Sequence, residues 1–144
     1  MKRRFFWSSL VVACFFLVAG GSTLATQKTI EWHNYQTGME RGKYEKKRVF
    51  LHFYADWCLY CKKMQESTFQ DPEVVEALNQ DYISIRVNTD LDPETTQLYG
   101  VRPLPDSWFI YENGEPIGNR PGFISADQMK VLLKLMEQQT ASAR

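Results

Sequence analysis

Cys58-Leu59-Tyr60-Cys61 is the one group in this chain whose residue types and spacing suggest chemistry. A C-x-x-C pair closes almost no loop, so it contributes little of the chain entropy by which disulfides stabilise a fold. It suits reversible thiol–disulfide exchange, in which two thiols on one helix face alternate between open and bonded forms. Half a zinc site is the competing reading. It needs two more ligands, and the remaining candidates are His33 and His52, with no second cysteine pair. The ligand count therefore argues against a metal, and an inert bridge is disfavoured by loop length.

The cysteines sit where two elements meet. Val49-Phe50-Leu51-His52-Phe53-Tyr54 is a run suited to a buried central strand. Ala55-Asp56-Trp57 then turns into a helix expected from Cys58 to Phe69. A thiol at a helix N-terminus meets unsatisfied N–H groups and the positive end of the helix dipole, both of which stabilise the thiolate. Cys58 is therefore the expected nucleophile. Cys61, predicted to lie deeper, is the resolving thiol that attacks a Cys58–substrate disulfide. Lys62 and Lys63 add positive charge nearby.

Other elements follow from periodicity and caps. A helix is expected within Thr29–Lys47, with Trp32, Tyr35 and Met39 on one side. Asp71-Pro72-Glu73 and Asp92-Pro93-Glu94 are helix starts, the second helix stopping at Gly100. Tyr82 to Val87 alternates as a strand. Trp108–Tyr111 and Pro116–Arg120 form a hairpin around Asn113-Gly114, and Ser125 opens a last helix with Met129, Leu132, Leu133 and Met136 as its apolar stripe. The order α-β-α-α-β-α-β-β-α implies an α/β domain over residues 28–139, a mixed central sheet with helices on both faces.

The chain has 144 residues, 17 basic and 17 acidic side chains, and 44% hydrophobic residues, a globular composition without the cationic surplus of a nucleic-acid binder. Residues 1–25 hold Lys2, Arg3 and Arg4, an apolar run from Phe5 to Ala19, and small residues up to Ala25. That is the pattern of a secretory signal cut before Thr26, with an uncleaved N-terminal anchor as the alternative. Beyond it remain 14 basic and 17 acidic side chains, net −3, and only Cys58 and Cys61. The expected location is periplasmic or otherwise extracytoplasmic.

The stretch Phe53-Tyr54-Ala55-Asp56-Trp57-Cys58-Leu59-Tyr60-Cys61-Lys62 resembles a thioredoxin active site. Continued through Ser67 to Val74, it is similar to the C-terminal thioredoxin-like domain of the membrane disulfide reductase DsbD. The likeness extends over about residues 30–138, taking in Tyr99-Gly100-Val101-Arg102-Pro103-Leu104-Pro105, Asn113-Gly114 and Gly122-Phe123. It implies a thioredoxin-like fold, a cis-proline at Pro105, and a groove for extended substrate at Leu104, rimmed by Trp57 and Tyr60. It further implies a free-standing exported thiol–disulfide oxidoreductase with no cofactor beyond the Cys58–Cys61 disulfide. Such a protein is expected as a monomer that reduces protein disulfides and is recharged by a membrane electron donor of DsbD type. A disulfide oxidase or isomerase, and a client-binding module with incidental redox activity, are the alternatives. Two positions depart from the family. His52 stands where a buried Asp often assists proton transfer, so it reads either as a core residue or as the proton-transfer group. Asp106 stands where thioredoxins commonly have Thr, and an inward carboxylate there would oppose thiolate formation.

Overall fold

The computed structural model describes residues 28–142, and the predicted signal at 1–25 lies outside the described residues. A five-stranded sheet forms the centre, in the order β1 (Trp32–His33), β3 (Tyr82–Asn88), β2 (Arg48–Tyr54), β4 (Asp106–Ile110), β5 (Pro116–Pro121). β1, β3 and β2 are parallel, whereas β4 and β5 complete the sheet antiparallel.

Alternation along β2 sorts the core into two layers, because successive side chains point to opposite faces. Val49, Leu51 and Phe53 join Ile83, Ile85, Val87 and Ile110 on one face, under Tyr35 and Met39 of α1 (Tyr35–Glu45) and Tyr99 beyond α4 (Pro93–Leu98). Phe50 joins Phe109 and Tyr82 on the other, under α2 (Leu59–Glu66), α3 (Pro72–Asp81) and α5 (Ala126–Ser142) through Met64, Val74, Leu78 and Met129. α1 lies close because its interface residue is a glycine: a Cβ on Gly38 would run into the Ile85 side chain.

The helices begin where local side chains satisfy their first N–H groups. Asp71 accepts from Glu73 N at 3.0 Å and Val74 N at 3.1 Å, and Asp92 accepts from Thr95 N at 3.0 Å. At α5, Ser125 and Gln128 cap each other reciprocally.

Two expectations need correction. Trp32 is not in a helix with Tyr35 and Met39. It belongs to β1, paired with Ser84, and packs on the opposite sheet face against Phe50 and Phe69. Asn34 is the reason, since its side chain accepts from Thr37 N at 2.9 Å and starts α1 only at Tyr35. The helix after the cysteines ends at Glu66 rather than Phe69, and a 3₁₀ turn follows at Thr68–Gln70. Ser67 Oγ donates to Lys63 O at 2.6 Å and Thr68 Oγ1 to Ile124 O at 2.6 Å, local and tertiary bonds that compete with helix continuation.

His52 lies in the second layer, 1% exposed. Its ring meets Phe69 edge-on at 4.9 Å between centroids, and Nδ1 shares a 3.1 Å hydrogen bond with Ser107 Oγ on β4. Burial, aided by the nearby Arg86 charge, lowers its pKa from 6.5 to about 3. The unfolded chain takes up this proton near pH 6.5 and the folded chain only near pH 3. In between, the unfolded state binds more protons, so the stability carried by neutral His52 is complete above pH 6.5 and is lost as pH falls toward 3.

Urea melts of His52→Phe should therefore show a flatter acid limb. Between about pH 6 and 4 the wild-type chain should lose roughly 1 kcal/mol more per pH unit than the variant; parallel limbs would contradict the neutral buried imidazole. Gly38→Ala should cost about 1–3 kcal/mol by overpacking against Ile85. Gly118→Ala, whose Cβ would meet nothing within 4 Å, should leave the melting curve near wild type.

Candidate active site

Cys58 occupies the junction between the end of β2 and the start of α2. Its backbone is extended, with φ −76° and ψ 107°, and its carbonyl accepts from Lys62 N at 3.1 Å, the first bond of the helix. Its sulfur is the side-chain cap, accepting from Cys61 N at 3.2 Å. Few residues put sulfur in that position, and the consequence is electrostatic. The atom that must carry charge after reduction already faces a backbone donor at the positive end of a helix.

Cys58 and Cys61 are joined by a disulfide, with Cα atoms 5.3 Å apart. The expected difference in depth is absent in this form, both residues being 5% exposed. Capping draws the Cys58 side chain against α2, while Leu104 packs beside both cysteines together with Ala55 and Tyr54. Asymmetry between the two therefore rests on the cap, not on exposure.

Around this buried pair the surface is apolar and open. Trp57 is 70% exposed, Leu59 75% and Tyr60 57%. Trp57 is held, since its indole Nε1 donates to Asp90 Oδ2 at 2.9 Å. Tyr60 tilts toward Phe123, and Lys63 Nζ lies over the Phe123 ring at 4.8 Å. Opposite the cysteines runs the loop before β4, where the Leu104–Pro105 peptide is cis and Pro105 is buried. Gly122, with φ 90°, donates its N–H to Pro105 O at 2.7 Å and ties this loop to the end of β5.

Asp106 does not face the cysteines. It pairs with Phe53 in the β2–β4 register and so lies on the α1/α4 side of the sheet. There Trp108 Nε1 donates to Oδ2 at 3.0 Å and Asn119 Nδ2 to both oxygens at 3.1 and 3.2 Å. Burial raises its pKa above the usual carboxylate value, against the lowering effect of Asn119 and Trp108.

A cleft of about 120 Å³ opens beside Cys61, lined by Tyr54, Ala55, Asp56, Cys61, Lys62, Gln65, Glu66 and Arg86. His52 is not among these residues; Ser107 and the aromatic cluster enclose it. Lys62, whose direction the sequence left open, lines the cleft. Arg86 and Asp90 were missed by sequence reading. Arg86 follows from alternation in β3, which puts it on the face of Ser84 and His52, but no local pattern announces what it meets there. Asp90 lies 33 residues from Trp57, and nothing short of the fold connects them.

Among the described residues no cluster of three or more His, Cys, Asp or Glu side chains could hold a metal ion, and no helix is long and apolar enough to cross a membrane.

Comparison with known proteins agrees with this geometry. The family model of the thioredoxin-like domain matches residues 35–137. The thiol:disulfide interchange protein DsbD of Vibrio vulnificus is 36% identical over 96 residues, covering 63% of this chain and 16% of that protein, so the chain spans a small part of the relatives it matches. The reduced C-terminal domain of Neisseria meningitidis DsbD superimposes with a TM-score of 0.58 at 29% identity, over 72% of this chain and 91% of that domain. A thioredoxin from Thermus thermophilus shares the fold with a TM-score of 0.69 at 21% identity, over 75% and 87% of the two chains. The match over residues 35–137, which takes in the cysteine pair at the start of α2, the cis-proline loop and most of the mixed sheet, shows the family: the chain belongs to the thioredoxin-like family.

Proposed function

We propose that this protein is an extracytoplasmic thiol–disulfide oxidoreductase that reduces protein disulfides. The observation that carries the reading is the Cys58 sulfur at the cap of α2, set between an exposed apolar rim and the cis-proline loop. In the reduced protein the Cys58 thiolate attacks a substrate disulfide, forming a mixed disulfide and releasing one substrate thiolate. Cys61 then attacks Cys58 Sγ, closes the Cys58–Cys61 bond and releases the second substrate thiolate. Two electrons pass to the substrate, and the chain needs no further cofactor. Leu104 offers backbone beside the cysteines to an extended peptide, while Trp57, Leu59 and Tyr60 offer apolar contact.

The exchange chemistry is supported by the likeness to DsbD, whose name describes thiol:disulfide interchange, and the reducing direction is the one the resemblance of residues 53–74 to the DsbD domain implies. The exported location is supported by the basic, apolar and small-residue order of residues 1–25. A reductant in an oxidising compartment must be recharged, so a membrane protein that carries electrons outward is the partner this reading requires. The protein acts as a monomer, with His52 as a core residue and not the proton-transfer group. An imidazole that protonates near pH 3 is a weak acceptor for a thiol proton.

The test is stoichiometric. The reduced protein, mixed with a protein disulfide such as insulin, should lose two thiols per disulfide opened, and Cys58→Ser should abolish the reaction. Cys61→Ser should stop at a stable mixed disulfide. Equilibration against glutathione should place the pair nearer the potential of thioredoxin, about −270 mV, than that of a strong oxidant, about −120 mV. Reduced protein that keeps both thiols in the presence of excess insulin would overturn the assignment, and a potential near the oxidant value would reverse its direction.

A further inference from the structure

The cleft beside Cys61 contains a cation that the chemistry above does not use. Arg86 lies directly opposite His52 in the β2–β3 register and faces the same side of the sheet as Trp32 and Tyr54. Its guanidinium carbon sits 4.1 Å from the Tyr54 ring centre and 5.3 Å from that of Trp32. Two aromatic faces thus hold the charge in place. Among the described residues Arg86 makes no ion pair within 4 Å, and its Nε is buried without a hydrogen-bond partner. One helical turn beyond Cys61, Gln65 Oε1 is also buried and unpartnered. A donor and an acceptor of this kind, in a cleft of about 120 Å³, suit solvent access to the thiol.

The charges facing Cys61 come from three elements. Asp56 lies in the loop after β2, Lys62 and Glu66 are on α2, and Arg86 is on β3. Tyr54 of β2 also lines the cleft, and His52 lies behind it, beside Arg86 in the β2–β3 register. Asp56, Lys62 and Glu66 are exposed and screened by water, and Asp56 also accepts from Asn88 Nδ2 at 3.3 Å. Arg86 is partly buried, so its field reaches the sulfur through a medium of lower dielectric. A guanidinium stays charged throughout the working pH range.

We propose that Arg86 is the positioning residue of the resolving step: clamped by Trp32 and Tyr54 beside Cys61, it stabilises the Cys61 thiolate so that no internal base is needed. The inference rests on the dithiol reading above. Cys61 Sγ–H gives its proton to solvent in the cleft, and the thiolate is held by the cation. That thiolate attacks Cys58 Sγ, the Cys58–Cys61 bond forms, and the Cys58–substrate bond breaks. The departing substrate thiolate takes a proton from solvent. The cation makes the Cys61 proton easier to lose, so that the buried, neutral His52 need not receive it.

The experiment titrates Cys61 alone, by its alkylation rate with iodoacetamide against pH in a Cys58→Ser background. Adding Arg86→Gln should raise the Cys61 pKa by about one unit or more, about a tenfold loss of alkylation rate at pH 7. Arg86→Lys, which keeps the charge, should recover at least half of the shift. The Cys58 profile, measured in a Cys61→Ser background, should be the same with Arg86 or Gln at position 86. Should Arg86→Gln fail to fold, Tyr54→Leu removes one side of the clamp and should move the Cys61 profile in the same direction. Superimposable Cys61 profiles, an equal shift in Arg86→Lys, or a parallel shift of Cys58 would overturn the proposal. These titrations need no substrate, so a failure to reduce insulin would fault the functional reading and leave the Arg86 result to stand or fall separately.

Discussion

The hydrogen bond from Cys61 N–H to Cys58 Sγ is the contact around which the site is arranged. It requires Cys58 to be the last extended residue after β2 and the cap of α2, and it requires Cys61 to be in the first turn. Both follow from where the buried strand ends. β2 is central, with β3 on one side and β4 on the other, so its carboxyl end is where the chain must leave the sheet. Loops at the carboxyl ends of strands are where α/β sheets commonly present their ligands and reacting groups. The same end of the sheet receives the loop before β4, which brings Leu104 against both cysteines. The disulfide is thus enclosed from two directions while Trp57, Leu59 and Tyr60 remain open to a partner.

The sheet also separates groups whose charges would interfere. Asp106 is adjacent in sequence to the cis-proline, yet the pleat sends it to the α1/α4 face, where Trp108 and Asn119 satisfy it. His52 points to the other face, but an aromatic enclosure keeps it neutral and bonded to Ser107. Neither group brings a negative charge to the sulfurs. Arg86 shares the His52 face and lines the cleft at Cys61, where it supplies a positive charge. One-residue alternation thus decides which titratable groups can influence the redox pair.

Much of this was legible in the sequence because the signals were local. The run before the cysteines, the Asp-Pro-Glu helix starts and the Asn-Gly hairpin each act within a few residues, and a family resemblance extended them to the fold. β1 was not legible, because two residues are too few to show a period. Trp32 looked equally suited to a helix until Asn34 was seen to cap the chain just after it. The end of α2 was obscured for a related reason: Ser67 and Thr68 leave the helix through bonds to Lys63 and Ile124, the second of them 56 residues away. Environments were harder still. That Asp106 lies against Trp108 and Asn119, that Asp90 holds Trp57, and that Arg86 is clamped by Trp32 and Tyr54 all depend on pairings between strands or loops distant in the chain.

The central claim is that the helix cap makes Cys58 the nucleophile. Its most direct test is the thiolate absorbance near 240 nm of the reduced Cys61→Ser protein, followed as a function of pH. The cap predicts a Cys58 pKa below the free-cysteine value of about 8.5, returning toward that value once the folded structure is removed with denaturant. A pKa at or above the free value in the folded protein would contradict the account.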